Sequence, residues 1–224
     1  MSESKSSAGQ ASAKSGAGDL FKGQEKQRDV RTSNIVAARA VSNAIRTSLG
    51  PKGMDKMIIS ANNDVVITND GAIILAKMEV QHPAAKMLCD ISKAQDVEAG
   101  DGTTSVVVLA GSLLEAAQDL LNKGIHASLI SEAFLAANKR ALEILRSIAI
   151  PVSLSDRDQL IKSAITSLNS KVVSENSKLL APLAVDAVLR IMDEKSDKSV
   201  DLNNIRVTKK LGGTVEDTEL INGL

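Results

Sequence analysis

Residues 94–122 read AQDVEAGDGTTSVVVLAGSLLEAAQDLLN and contain the two features on which the fold depends. A glycine-rich break, Gly100-Asp101-Gly102, is followed by Thr103-Thr104-Ser105 and then by a long apolar stretch. Glycine permits backbone conformations that other residues avoid, and the apolar stretch has the length of a helix. The sequence therefore predicts a tight loop that opens directly into a long helix, from Ser105 to about Leu121.

This loop has two chemical interpretations. Unpaired N–H groups at a helix N-terminus bind phosphate, and hydroxyl groups add hydrogen bonds. Asp101 would repel a phosphate unless a cation lay between them, which points to Mg²⁺ carried by a nucleotide. The simpler interpretation is an Asp-Gly turn with threonine as the N-cap. The residues alone favour the turn, because the motif is short.

Two further loops carry polar or glycine-rich breaks. Leu49-Gly50-Pro51-Lys52-Gly53 has the composition of a helix C-terminus, and Asn69-Asp70-Gly71 that of a turn. Lys171 follows a predicted helix and, by itself, is interpreted as a solvated surface lysine. The sequence contains neither the P-loop motif nor the Rossmann glycine motif.

Apolar periodicity predicts several further elements. Two β-prone runs, 57–59 and 65–67, flank a turn-rich stretch and predict a hairpin. Residues 205–207 and 211–215 are also β-like. Further helices are expected at about 29–49, 84–96, 128–148, 156–167 and 182–192.

Composition excludes several classes of protein. Lys and Arg number 27 and Asp and Glu 27, and Trp and Tyr are absent, so binding to nucleic acid is disfavoured. The two histidines leave little material for a metal site or a Ser-His-Asp triad. The single cysteine, Cys89, fits a reducing compartment and a structural thiol. Since no signal peptide is recognised and no apolar run approaches about 20 residues, we expect a soluble cytosolic protein with no membrane or nucleic-acid partner.

Four stretches together resemble the group II chaperonins, and the resemblance runs from about Asp29 to Leu224. They are RTSLGPKGMDKM at 46–57, TNDGA at 68–72, HPAAK at 82–86 and AQDVEAGDGTT at 94–104. Three later stretches, 152–157, 180–188 and 210–218, are similar to one particular subunit type of the eukaryotic TRiC/CCT branch.

The resemblance implies a mainly α fold with short β-hairpins. Its expected parts are a disordered tail at 1–27, the N-terminal half of an equatorial ATP-binding domain at 28–152, the N-terminal half of an intermediate domain at 153–215, and the start of an apical domain at 216–224. On this expectation the chain is truncated. It would lack the returning half of the intermediate domain, with the aspartate thought to activate the attacking water.

The resemblance also assigns roles to individual residues. Asp101 would be the Mg²⁺ ligand, and Asp70 a carboxylate that assists ATP hydrolysis near the γ-phosphate. Lys171 would sense the γ-phosphate from the intermediate domain. The remaining expected nucleotide contacts are Gly50, Pro51, Gly102, Thr103, Thr104 and Ser105. One departure is Ile73, where the family commonly has threonine.

The function implied is ATP-dependent folding of unfolded protein clients such as actin and tubulin. It would take place in a double ring with other chaperonin subunits. This chain by itself would not turn ATP over, because part of the hydrolytic site would be missing. The alternative is an ATP-independent interaction module or assembly modulator.

Overall fold

A computed structural model describes residues 16–59, 63–192 and 200–221, with side chains from Val30 onward. This part of the chain is mainly helical, with one two-stranded sheet. The elements are α1 (Gly16–Arg46), β1 (Lys56–Ile59), β2 (Val65–Thr68), α2 (Gly71–Lys77), α3 (Pro83–Ala99), α4 (Thr103–Asn122), α5 (Ala127–Ile148), α6 (Arg157–Leu168) and α7 (Ser177–Ile191). The mainly α fold expected of a partial equatorial domain is confirmed.

Helix α1 has the apolar stripe that its sequence predicts. Ile35, Ala38, Val41 and Ile45 are all buried, whereas Leu49 lies beyond the helix and is 42% exposed. The helix begins at Gly16, so 16–27 is helical here and differs from the expected disordered tail. Good helix formers such as Leu, Lys, Gln and Glu are frequent in this stretch. The tail expected at 1–15 lies outside the described residues.

Strands β1 and β2 form the predicted antiparallel hairpin, in which Lys56 pairs with Thr68 and Ile59 with Val65. The turn itself, at 60–62, lies outside the described residues. The β-like prediction for 205–215 is wrong: this segment has no strand, and 3₁₀ turns stand at Leu202–Asn204 and Val215–Asp217. A strand needs a neighbour to satisfy its backbone groups, and no partner strand lies beside this segment in the described chain.

The core lies where α1, α3 and α4 meet, with α2 packed on α3 and α4. Small residues allow a close approach of α1 and α4. A Cβ atom added to Gly111 would lie 2.1 Å from the Oγ of Ser42 and 2.4 Å from its Cβ. The buried apolar cluster contains Ala38, Val41, Ile45, Ile74, Leu75, Ala85, Leu88 and Val107.

Helix α4 corrects one expectation from the sequence. Within the described residues it alone is long and apolar enough to cross a membrane, by length and composition only. The statement that no apolar run reaches that length was therefore wrong. Helix α4 packs against α1 and α3, as a helix of the core does.

Helices α6 and α7 pack against each other after α5. Asp156 is the N-cap of α6, and its carboxylate accepts a hydrogen bond from the Gln159 N–H at 3.1 Å. Helix α7 begins at Ser177 rather than at the predicted Pro182, which lies inside it. Proline removes one backbone donor there, and the burial of Ser177 and Ala181 favours the extra helical turn.

Candidate functional site

The loop before α4 turns twice through the left-handed backbone region. Gly100, with φ 67°, is the C-cap of α3, and Gly102, with φ 75°, is the N-cap of α4. Side chains with a Cβ rarely adopt this conformation, so both glycines are needed to join the two helices this closely.

The first turn of α4 has no hydrogen bond from a capping side chain within the described structure. The simpler interpretation, in which threonine is the N-cap, is therefore wrong, because Gly102 occupies that position. Thr103 and Thr104 are buried at 4% and 8% exposure. The N–H groups of a first helical turn have no partner inside the helix, so this end of α4 can accept an anion.

Asp101 stands at the rim of this helix end and is exposed. Its carboxylate accepts a hydrogen bond from the Gly102 N–H at 2.7 Å, and Gln95 Nε2 donates to its backbone carbonyl at 2.9 Å. The described residues hold no group of three or more His, Cys, Asp or Glu side chains that could bind a metal by themselves. A cation at Asp101 would need most of its ligands from phosphate and water, as Mg²⁺ at nucleotides commonly does.

Asp70 uses both of its carboxylate oxygens. One accepts a hydrogen bond from the Ile73 N–H at 3.2 Å and so caps α2, and the other forms an ion pair with Lys171. This hydrogen bond comes from the backbone N–H of Ile73. It is therefore unaffected by isoleucine standing where the family commonly has threonine. Gly71 brings α2 against α4, because an added Cβ would lie 2.9 Å from Thr104 Cα.

Lys171 comes to this site from a position 101 residues further along the chain than Asp70. Its side chain is 32% exposed and that of Asp70 21%. The interpretation of Lys171 as a solvated surface lysine is therefore wrong. Next to this pair, Asn69 Nδ2 donates a hydrogen bond to the Ser170 carbonyl at 2.7 Å.

These loops enclose a cleft of about 120 Å³. Its lining includes most of the expected nucleotide contacts, and four residues to which no such role was assigned: Ser48, Leu49, Asn69 and Ser170. Pro51 is exposed and is not part of the lining. Asp70 adjoins the cleft through its ion pair with Lys171. The expected residues in the lining are Gly50, Asp101, Gly102, Thr103, Thr104, Ser105 and Lys171.

Asn69 could have been suspected from its place beside Asp70, but its burial has no signal in the sequence. Ser48 and Leu49 directly precede Gly50 in the loop after α1, and Ser170 precedes Lys171. Ser48 and Leu49 reach the cleft because α1 ends there, and Ser170 because α6 ends there.

The size of the cleft limits what the described residues can hold. Pockets for drug-sized ligands have volumes of roughly 300–1,000 Å³, so about 120 Å³ fits only part of a nucleotide. Backbone N–H groups, hydroxyls, one carboxylate and one lysine are groups that bind a phosphate chain with its Mg²⁺. The donor set therefore fits the phosphate portion of a Mg²⁺-bound nucleotide.

The other reactive side chains serve structural roles. His82 Nδ1 accepts a hydrogen bond from the Ala84 N–H at 3.2 Å, and His126 Nδ1 one from the Ser128 N–H at 3.3 Å, so both histidines cap helices. Burial raises the pKa of the Cys89 thiol, which keeps it protonated and unreactive near neutral pH.

Known proteins with similar sequences match most of this chain. The model of the TCP-1/cpn60 chaperonin family matches residues 41–224. T-complex protein 1 subunit delta of Dictyostelium discoideum is 64% identical over 91% of this chain and 38% of its own length. The proteins of the same name from Saccharomyces cerevisiae and Bos taurus are 58% and 57% identical, over 95% and 97% of this chain.

The subunit type that 152–157, 180–188 and 210–218 indicated is thus the delta type. The chain spans about two fifths of the length of these relatives. Both the family match and the identities exceed what chance similarity produces, and they cover the loops that form the cleft. The chain belongs to the TCP-1/cpn60 chaperonin family.

Proposed function

We propose that this chain is the phosphate-holding part of a cytosolic chaperonin subunit. The subunit couples ATP hydrolysis to the folding of cytosolic proteins such as actin and tubulin. It works in a double ring with other chaperonin subunits and binds unfolded clients. The names of the relatives say only that they are T-complex protein 1 subunits. The activity, clients and assembly are extended to this chain from its membership of the chaperonin family.

One observation carries the proposal: four separate loops meet at a single cleft that has the donors a phosphate chain needs. They come from the end of α1, the start of α2, the start of α4 and the end of α6. Each loop taken alone is an ordinary turn or helix cap. Their meeting around an uncapped helix N-terminus supports anion binding.

Each group would have a distinct role. The N–H and hydroxyl groups of Thr103, Thr104 and Ser105 would hold phosphate oxygens, and Asp101 would hold Mg²⁺. The left-handed turn at Gly50, with φ 82°, lets the loop after α1 approach the ligand without a Cβ in the way. Positioning and charge neutralisation are the main requirements of phosphoryl transfer.

Asp70 and Lys171 would act together at the edge of the cleft. Lys171 supplies positive charge close to where phosphate would lie, and Asp70 holds that charge in place. Asp70 would also assist hydrolysis once Lys171 has moved to a phosphate oxygen and released its carboxylate. When bound, Mg²⁺ and ATP supply the transferable phosphoryl group and neutralise charge on it.

The proposal is tested on the subunit in its purified native assembly, by binding of Mg²⁺ with a fluorescent ATP analogue and by ATP turnover. Asp101→Asn should weaken binding of Mg²⁺-nucleotide by at least about 10-fold, because even the loss of a group that only supports a metal ligand costs about 10–100-fold. Asp64→Asn is the matched control, because Asp64 is exposed in the hairpin, away from the cleft. Equal behaviour of the two variants would contradict the proposal.

A second candidate function rests on a different observation. The apolar residues of α5 are largely exposed, which is typical of a surface that binds protein. An interaction module or assembly modulator without ATP turnover would use this face. Gel filtration of native lysate separates the two: co-migration with a large complex that binds and hydrolyses ATP supports the first, and co-migration without nucleotide binding the second.

A further inference from the structure

The β2–α2 loop and the α6–α7 loop are joined by two adjacent contacts. The ion pair between Asp70 and Lys171 involves flexible side chains. The hydrogen bond from Asn69 Nδ2 to the Ser170 carbonyl, 2.7 Å long, involves the main chain of the residue directly before Lys171. The second contact therefore fixes the backbone from which the lysine side chain extends.

Asn69 is suited to hold this contact permanently. It is 8% exposed, so water cannot easily replace Ser170 as its partner. A buried amide that loses its hydrogen bond is strongly disfavoured. The Asn69 side chain is therefore held to the α6–α7 loop.

The α6–α7 loop is also fixed from its other side. Ser177 Oγ donates to Asn169 Oδ1 at 3.1 Å, and Ser177 is 4% exposed at the start of α7. The Lys171 N–H donates to the Leu168 carbonyl at 2.9 Å and closes the turn after α6. The turn is thus held between the β2–α2 loop and α7.

A lysine has four rotatable side-chain bonds and is a poor positioning device unless its backbone is held. We propose that Asn69 is a positioning residue that, through the Ser170 carbonyl, sets Lys171 against Asp70 and the cleft. That Lys171 acts on a phosphate rests on the proposed function. The placement of Lys171 by Asn69 does not, because it is a property of the protein without a ligand.

Asn69→Asp is the sharpest variant. Aspartate has the same shape but no N–H to donate, and its carboxylate would face the Ser170 carbonyl oxygen. The α6–α7 loop should then move away from residue 69, and Lys171 should be released from Asp70. Asn43→Asp makes the same chemical change at an exposed position on α1 and is the matched control.

The first readout requires no nucleotide. The native assembly is treated with an amine-acylating ester, and acylation of Lys171 is followed by mass spectrometry, with exposed Lys52 as the internal reference. We expect severalfold faster acylation of Lys171 in Asn69→Asp and no change in Asn43→Asp. An unchanged rate in Asn69→Asp would overturn the proposal.

Ser177→Ala provides an independent variant, in case Asn69→Asp does not assemble. It removes one hydrogen bond between the α6–α7 loop and α7 and leaves Asn69 in place. Lys171 acylation should rise less than in Asn69→Asp, because the Ser170 anchor remains. A larger rise in Ser177→Ala would assign the positioning to α7 and overturn the role of Asn69.

The second readout is a double-mutant cycle on ATP turnover. Asn69→Asp should lower kcat by about 10–100-fold, as small misplacements of catalytic groups do, with a smaller effect on KM. In a Lys171→Met background the same change should lower kcat no further. An equal further loss there would mean a general structural role. If the unaltered assembly binds no ATP, the proposed function fails, and the acylation rates still decide the role of Asn69.

Discussion

Helices α4 and α5 follow each other in the chain and have similar lengths, 20 and 22 residues, but their surroundings differ. Helix α4 lies against α1 and α3 and buries Val107, Gly111 and Ala117. Helix α5 touches little besides α4, and Ile130 is its only buried residue in the described structure. Its exposed large apolar residues are Leu129, Leu135, Leu142, Ile144, Leu145 and Ile148.

The difference shows that an apolar stripe specifies which face of a helix is available for packing, and not what packs on it. On α4, Gly111 leaves the space in which the Ser42 side chain of α1 lies. On α5 larger aliphatic residues form a face that can cover further protein surface. The following variants test whether α4, which is more buried, contributes more to the free energy of unfolding than α5.

The largest expected effect is in the α1–α4 core. Ile45 is fully buried at 0% exposure, and Ile45→Ala should lower the free energy of unfolding by about 2–5 kcal/mol, from lost burial and a cavity. Leu145→Ala on α5 should cost no more than about 0.5 kcal/mol, because Leu145 is 57% exposed. Urea denaturation measures both. An equal loss for Leu145→Ala would show that the α5 face is covered.

The next effect concerns the close approach of α1 and α4. Gly111→Ala places a Cβ against the Ser42 side chain and should cost about 1–3 kcal/mol, as overpacking does. Adding Ser42→Gly removes the two nearest atoms and should restore most of the loss, apart from the cost of glycine in a helix. The same denaturation experiment measures the single and double variants. If the double variant does not regain stability, the close approach of α1 and α4 is not the cause of the loss in Gly111→Ala.

Ion pairs give a smaller contrast. Arg39 on α1 pairs with Glu115 on α4 and also donates to Gln118, so this pair joins two helices. Arg140 and Glu143 pair within α5. Double-mutant cycles should give a coupling of about 0.5–1 kcal/mol for the first pair, near the upper end for exposed pairs, and about 0.2–0.5 kcal/mol for the second. A larger coupling within α5 would reverse the comparison.

The smallest effect on stability is expected from an ion pair at the surface of α6 and α7, which serves as a reference outside α4 and α5. The hydrogen-bonded Arg157 guanidinium lowers the pKa of the Asp186 carboxyl. A lowered folded-state pKa stabilises the protein above the unfolded pKa of about 3.9. This stabilisation is lost as the pH falls through the folded-state pKa. Asp186→Asn should therefore be less stable than the parent protein at pH 7 and equally stable in strong acid. If Asp186→Asn is still less stable than the parent protein in strong acid, the Arg157–Asp186 pair is not the cause of the difference.

Local sequence predicted most of the helices and the hairpin, since each depends on the spacing of apolar residues and on turn residues. It failed at 205–215, where β-prone residues have no strand partner in the described chain. It also failed at Pro182, where tertiary burial of Ala181 outweighs the loss of one backbone hydrogen bond. Both misses are cases in which neighbours distant in sequence decide the outcome.

The site divides in the same way. The Gly100–Ser105 loop was a candidate from its residues, but these alone favoured an ordinary turn, and the resemblance to the chaperonins was needed to favour phosphate binding. The resemblance to the chaperonins added Gly50, Asp70 and Lys171. Neither source indicated that Asn69 is buried, or that its amide reaches Ser170 across 101 residues.

By itself, then, the sequence determined most of the helices, the hairpin and the glycine-rich loop around Asp101, because these depend on local backbone preferences and on periodicity. Only the tertiary structure decided that Lys171 pairs with Asp70, that Asn69 holds the loop before it, and that α5 has an uncovered face. Hydrogen bonds and ion pairs between distant segments form after the helices have packed. Their partners are therefore set by the packing geometry and cannot be read from neighbouring residues.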